Sequence, residues 1–317
     1  MTDTQNEVFK SPVNKIRLFE HGVPGSQNLK LTRKYYTEDM PDGRVKHIVQ
    51  NITDPDIVPY IPDGIGNSTD RQRIPAVLII PGGAFRRLVY NFEGEDVAKW
   101  LNSMGIAAFV LECRLPSDEH DNAEDVPLID AMRAMRVIRG RAQEFGIDEA
   151  KIGVMGFSAG GFMAALLSTA YESDVYADYK YKDEYDKLSA RPDFAVCSYP
   201  VISIDDCIEA GKRYMSEEQV LERISDSKAK ILHKYNPDKL VRPDMPPVFI
   251  CETDDDRTTL SENSVGFYMA ARKAGVSAEL HIFRTGGHGY GCGDDFAQTG
   301  EWKVLFTKWI KSIGIIS

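Results

Sequence analysis

From Ile74 onward, short continuous apolar runs alternate with helical patterns, and this alternation constrains the fold more than any other feature of the chain. Pro75–Ile80 (PAVLII) has the form of a strand buried on both faces. Gly94–Met104 reads as a helix, Gly105 ends it, and Ile106–Leu111 (IAAFVL) makes the next strand. Between Asp125 and Phe145, the residues Leu128, Met132, Met135, Ile138, Ala142 and Phe145 recur at three and four positions. That spacing predicts a helix with one apolar stripe, and Gly146 follows at the expected stop. Lys151–Met155 (KIGVM) is a strand, Gly156–Ser158 a turn, and Ala159–Ala170 a helix of small residues. Strands are then expected at Phe194–Tyr199, Val248–Cys251 and Ala278–Phe283, with helices over Ser261–Ala274 and Trp302–Ile313. The alternation predicts an α/β fold: a mostly parallel, doubly wound sheet with helices on both faces. Sites in such sheets lie at the carboxyl ends of the strands.

Three stretches depart from the pattern. Residues 1–73 alternate loosely and read as a polar lead plus antiparallel edge strands. Tyr171–Arg191 is rich in Tyr, Asp and Lys without an apolar stripe and reads as an exposed excursion. Ile204–Arg242 is helical and charged, lies between two strands, and reads as a possible small cap beside the site. No internal repeat or low-complexity tract interrupts the 317 residues, and they are read as one domain.

Hydrophobic residues make up 43% of the chain, so a packed core rather than disorder is expected. The net charge of −10 argues against a nucleic-acid partner, which would need a basic face. Five cysteines (113, 197, 207, 251 and 292) show no C-x-x-C spacing, so no zinc or redox signature is present. The polar Met1–Lys10 lacks the apolar core of a signal peptide, and no run of 18 apolar residues suggests a membrane span. The expected address is the cytoplasm.

The chemistry concentrates in three segments. Gly156-Phe157-Ser158-Ala159-Gly160-Gly161 matches G-x-S-x-G and falls between a strand and a helix. A nucleophile on so sharp a turn needs neighbours without side chains, and the turn aims the Ala159 N–H at an incoming carbonyl oxygen. Pro81-Gly82-Gly83-Ala84 follows a strand end directly, as the loop that supplies the second oxyanion donor in a hydrolase fold would. Of six histidines, only His288 lies on a Gly-rich loop after the last strand, the place of a general base. The acid must come from the segment Cys251–Arg257, which holds Asp254, Asp255 and Asp256. Asp256 is the first choice and Asp255 the second.

The strings LIIPGGAF, FEGEDVAKWLNSMGIAAFVLECRLP, IGVMGFSAGG, ARPDFAVCSYPVIS, SENSVGFYMAARKAGVSAELHIF and GGHGYG resemble the carbohydrate acetyl esterase branch of the α/β-hydrolases, the acetylxylan esterase-like proteins. The resemblance runs from about Ile74 to Ile313. It implies the α/β-hydrolase fold, an ester substrate such as an acetylated sugar, and neither metal nor other cofactor. Carried over, Ser158 is the nucleophile, His288 the base and Asp256 the acid, since the family's acid stands eight residues before a serine equivalent to Ser264. Gly83, Ala84 and Ala159 fall near the oxyanion positions. The chain departs from the pattern at Cys113, where the family usually has Tyr, at Phe162, where His is common, and at Ala84, which replaces a third Gly.

The expected activity is hydrolysis of short-chain, acetyl-type esters of carbohydrates such as xylo-oligosaccharides through an acyl-enzyme. Peptidase, lipase and formamidase activities on the same fold compete with it. The charged 204–242 stretch argues against a lipase cap. A ligand-binding protein without catalysis is a further alternative, disfavoured because all three triad residue types stand in order. Expected partners are a small-molecule ester, no nucleic acid and no membrane, with a homo-oligomer possible.

Overall fold

A computed structural model describes residues 9–64, 73–216, 218–220, 229–293 and 298–317. Eleven strands and eight helices among them build the architecture. The main sheet has eight strands, in the order β1-β4-β7-β5-β8-β9-β10-β11. These are β1 (Ile16–Arg17), β4 (Asp56–Tyr60), β7 (Ala107–Glu112), β5 (Ile74–Ile80), β8 (Ile147–Phe157), β9 (Ala195–Ser198), β10 (Val248–Thr253) and β11 (Ala278–Phe283). From β7 to β11 every pairing is parallel, while β1–β4 and β4–β7 are antiparallel. This is the α/β-hydrolase arrangement, and the central strands show why their sequences are apolar without alternation. Every residue of β7, β9 and β10 is buried, because helices cover both faces.

One helical layer holds α2 (Val126–Gly140) and α4 (Ala159–Ala170), which pack on each other. The other holds α1 (Asp96–Ser103) and α8 (Trp302–Ser312), joined where Trp100 meets Trp302 edge-on at 4.9 Å. The helix expected over Asp125–Phe145 is interrupted at Arg141 and continues as the single turn α3 (Ala142–Phe145), closed by Gly146 at φ +66°. α2 is buried nearly all round, not along one stripe. Asp130 and Arg133 on its other face are also buried, and both are paired.

Two expectations need refining. The N-terminal strands divide: β1 and β4 extend the main sheet, but β2 (Lys34–Asp39) and β3 (Val45–Gln50) form a separate three-stranded sheet with β6 (Leu88–Val89). Tyr171–Arg191 is exposed along about half its length, as expected of an excursion, but it is pinned to the body of the fold. Tyr171, Tyr176 and Ala190 are buried, and Arg133 of α2 reaches Asp183 at 2.7 Å and Asp186 at 3.0 Å. Tyrosine rings and arginine stems bury apolar surface without leaving a periodic apolar signal. The helix expected at Gly94 begins at Asp96 and is preceded by a π-type turn, Asn91–Glu95. The polar lead 1–8 and positions 217 and 221–228 of the 204–242 stretch lie outside the described residues. The remainder of that stretch includes α5 (Ile204–Tyr214), capped by Ser203, and α6 (Ala229–Lys234); α7 (Ser261–Lys273) follows β10.

Candidate active site

Ser158 sits between β8 and α4 with φ +53° and ψ −118°. A non-glycine residue adopts that conformation only under constraint, and the neighbours supply it. A Cβ on Gly156 would lie 1.9 Å from the Gly160 carbonyl oxygen, and one on Gly160 would lie 1.9 Å from that of Ile80. Any side chain at either position would push the turn apart. The Ser158 N–H donates to the Ser198 carbonyl at 3.0 Å, which ties the turn to β9. The serine ends up 8% exposed, at the carboxyl edge of the sheet.

The loop after β5 closes against it. A Cβ on Gly82 would stand 2.9 Å from Cβ of Ser158, so only glycine lets this loop come so near. The Gly82 N–H is already engaged by Glu93 Oε2 at 2.8 Å. Gly83 follows at φ +137° and Ala84 at φ +56°, and Ala84 is exposed. Ala159 opens α4, where the first N–H groups of a helix have no partner within it.

His288 lies on the loop after β11. Its Nε2 is 2.9 Å from Ser158 Oγ, and its Nδ1 is 2.6 Å from Asp256 Oδ2. Asp256 is 2% exposed and also accepts from the N–H groups of Thr258 at 2.7 Å and Thr259 at 3.0 Å and from the Thr259 hydroxyl at 2.9 Å. Burial by itself would raise this carboxyl. The hydrogen bond and charge of His288 and the two backbone N–H groups outweigh burial and hold it below the usual carboxylate range. An ionised Asp256 can only accept, so Nδ1 carries the imidazole proton and Nε2 is left to accept from Ser158.

The three neighbouring aspartates separate by environment. Asp254 and Asp255 are exposed, and Asp255 Oδ1 accepts from the Gly287 N–H at 2.8 Å. Asp255 therefore holds the histidine loop and does not meet the imidazole. Thr253 donates to the Gly287 carbonyl at 2.9 Å from the other side.

Two buried residues at the site carry no motif in the sequence. Glu93 is 5% exposed, and Tyr199 is fully buried with φ +37°. Tyr199 donates to Glu93 Oε1 at 2.9 Å and sets its ring edge-on to His288 at 5.1 Å. Burial pushes the Glu93 carboxyl above its usual range, opposed by the charge of His288 and the bonds from Tyr199 and Gly82. Burial likewise pushes the Tyr199 hydroxyl far up, which keeps it a donor. In the sequence Glu93 passes for a solvated acid ahead of a helix, and Tyr199 for the last residue of a strand.

A profile of the BD-FAE family matches residues 65–270. The chain belongs to the BD-FAE family. Within the α/β-hydrolases this is the acetylxylan esterase-like branch. Relatives are consistent with the assignment. An acetylxylan esterase of Xylanibacter ruminicola is 31% identical over 240 residues, covering 75% of this chain and 45% of the relative. Endo-1,4-beta-xylanase B of Butyrivibrio fibrisolvens is 31% identical over 227 residues, covering 71% and 34%. The chain thus spans less than half the length of these curated relatives. The crystal structure of an acetyl ester-xyloside bifunctional hydrolase from Caldicellulosiruptor lactoaceticus superposes with a TM-score of 0.70 at 34% identity, covering 96% of this chain and 97% of that one. No helix among the described residues is long and apolar enough to cross a membrane.

Proposed function

We propose that this BD-FAE member is a serine esterase that hydrolyses short-chain esters, with acetyl esters of xylose-based saccharides as its substrate class. The observation that carries the reading is the relay Ser158–His288–Asp256, with contacts of 2.9 and 2.6 Å, ending on a serine in a constrained conformation. In this mechanism His288 takes the Ser158 proton as Oγ attacks the ester carbonyl. Asp256 stabilises the imidazolium, and the N–H groups of Ala159, Gly83 and Ala84 receive the oxyanion. The alcohol leaves with the proton from His288, and water repeats the sequence on the acyl-enzyme.

The substrate class rests on two supports. The relatives are named for acetylxylan and for acetyl ester-xyloside hydrolysis. In addition, the apolar cavity beside Gly82 and Ala159, walled by Phe85, Cys113, Leu115 and Met163, measures about 10 Å³. That is room for about one water-sized group; Ser158 and His288 do not line it, so it supports a short acyl group only as the small apolar space beside Ala159. Cys113, Cys197 and Cys251 are buried free thiols, which supports a reducing, cytoplasmic address.

The test is a series of p-nitrophenyl esters from acetyl to octanoyl beside acetylated xylo-oligosaccharides. The expected result is a kcat/KM for acetyl well above that for octanoyl, because the extra methylenes find no slot. Equal values would remove the short-chain preference. Failure to cleave any ester in the series would remove the esterase reading itself.

A further inference from the structure

Glu93 and Tyr199 belong to no step of the proposed mechanism, yet they connect its two moving parts. Glu93 Oε2 holds the Gly82 N–H at 2.8 Å, on the loop that abuts Ser158. Its other oxygen takes the Tyr199 hydroxyl at 2.9 Å, and that hydroxyl accepts the Gly291 N–H at 3.0 Å, three residues beyond His288. Every polar atom along this line is buried and used. The two backbones also touch directly at its end, where a Cβ on Gly291 would lie 2.6 Å from the Phe92 carbonyl oxygen. Tyr199 is itself fixed from behind: its N–H donates to the Cys251 carbonyl at 2.7 Å, and its carbonyl accepts from Thr259, which also binds Asp256.

We infer that Glu93 and Tyr199 form a positioning strut that fixes the distance between the oxyanion loop at Gly82–Ala84 and the base loop at His288–Gly291. The inference rests on the reading of Ser158 and His288 as the hydrolytic pair. Its physical content is a matter of acceptors. Glu93 must accept at both oxygens at once, from Gly82 and from Tyr199. A glutamine offers only one acceptor: with its amide turned to Gly82 it would set N–H against N–H, and turned to Tyr199 it would leave the hydroxyl proton without its acceptor. One end of the strut must then let go, and the donors of the loop drift from the oxyanion while the substrate's ground-state contacts stay. Since imperfect donor placement is felt in the transition state, kcat and kcat/KM fall together.

The test uses p-nitrophenyl acetate with wild type, Ser158→Ala, Glu93→Gln, Tyr199→Phe and the double variant Glu93→Gln/Tyr199→Phe. The expected result is an active wild type, an inactive Ser158→Ala, and a loss of kcat of about 10- to 100-fold for Glu93→Gln, less than the roughly 10²- to 10³-fold of removing an oxyanion donor outright. KM stays within about twofold. Tyr199→Phe shifts kcat in the same direction by less, and the double variant is no worse than Glu93→Gln alone, since both changes cut one line. If Ser158→Ala keeps wild-type activity, the serine reading fails and the strut with it. If Ser158→Ala is inactive while both strut variants keep kcat within twofold, the strut is overturned and the serine reading stands. A lower Tm with unchanged kcat per folded molecule overturns it equally. Should Glu93→Gln fail to fold, Tyr199→Phe decides by the same threshold.

Discussion

Ser158 is placed by glycines that let backbones close around its turn, whereas His288 is placed by side chains scattered over the chain. On the nucleophile side, Gly156 and Gly160 permit the turn, and β8 and α4 deliver it. On the base side, Asp255 and Thr253 grip Gly287, Asp256 takes the imidazole, and Tyr199 packs against the ring. The difference teaches where each half is vulnerable. The nucleophile side fails by steric intrusion at Gly82, Gly156 or Gly160, and the base side fails by loss of a hydrogen bond at any of several groups.

The largest break in that comparison is Ser158→Ala. It removes the nucleophile and leaves the turn, so kcat for p-nitrophenyl acetate should fall by roughly 10⁴ to 10⁶ with the circular dichroism spectrum unchanged. Activity within tenfold of wild type would deny Ser158 its role.

The aspartate series comes next and sharpens the base side. Asp256→Asn should lower kcat by about 10⁴, because the imidazole loses the partner that fixes its tautomer. Asp255→Asn loosens only the loop and should cost far less, and the exposed Asp254→Asn should be nearly silent. A severe Asp255→Asn beside a mild Asp256→Asn would reverse the assignment on this loop.

Gly156→Ala tests the nucleophile side by crowding it. With a Cβ forced to 1.9 Å from a backbone oxygen, the turn must move, at a cost of about 3 kcal/mol or more read from the urea midpoint. A variant as stable as wild type would show that the turn is not held by sterics.

The smallest effect is in the pH dependence of stability. The folded pKa of Asp256 is depressed. Its contribution is therefore present above the unfolded value near 3.9 and is lost as pH falls through the folded value. The stability gap between wild type and Asp256→Asn should stay level from about pH 8 to 5 and narrow below about 4. A gap that widens in acid would contradict an ionised Asp256.

The same contrast explains what could be read in advance. Ser158 was legible because its constraint is local and leaves glycines in the sequence. The strands β5, β10 and the second half of β8 were legible because burial on both faces leaves apolar runs, while the polar start of β8 at Ile147–Ala150 was not; α4 and β11 fall on the expected residues. Glu93 and Tyr199 were not legible, since nothing near Glu93 in sequence says that its carboxylate turns inward to meet a tyrosine more than a hundred positions away. The exposure of Tyr171–Arg191 was legible, but its anchoring was not, because it runs through tyrosines and ion pairs to α2 that look polar in isolation. The separate sheet of β2, β3 and β6 depends on two residues after the oxyanion loop, too few to read as a strand.

The π-type turn at Asn91–Glu95 has a consequence for how this site can change. There the N–H of Asp96 reaches back five residues to the Asn91 carbonyl, and that of Glu95 to Tyr90. The turn holds one residue more than an α-helix would need, a feature that recurs at functional sites. Removing one residue between Glu93 and Asp96 would turn this wide turn into an ordinary α-helical one and change the register of Glu93 relative to α1. The buried face of α1, Val97, Ala98 and Leu101, would stay in the core, but the Glu93 carboxylate would swing off Gly82 and Tyr199. In lineages that accept such a deletion, helix and sheet would persist while the two loops lost their common anchor.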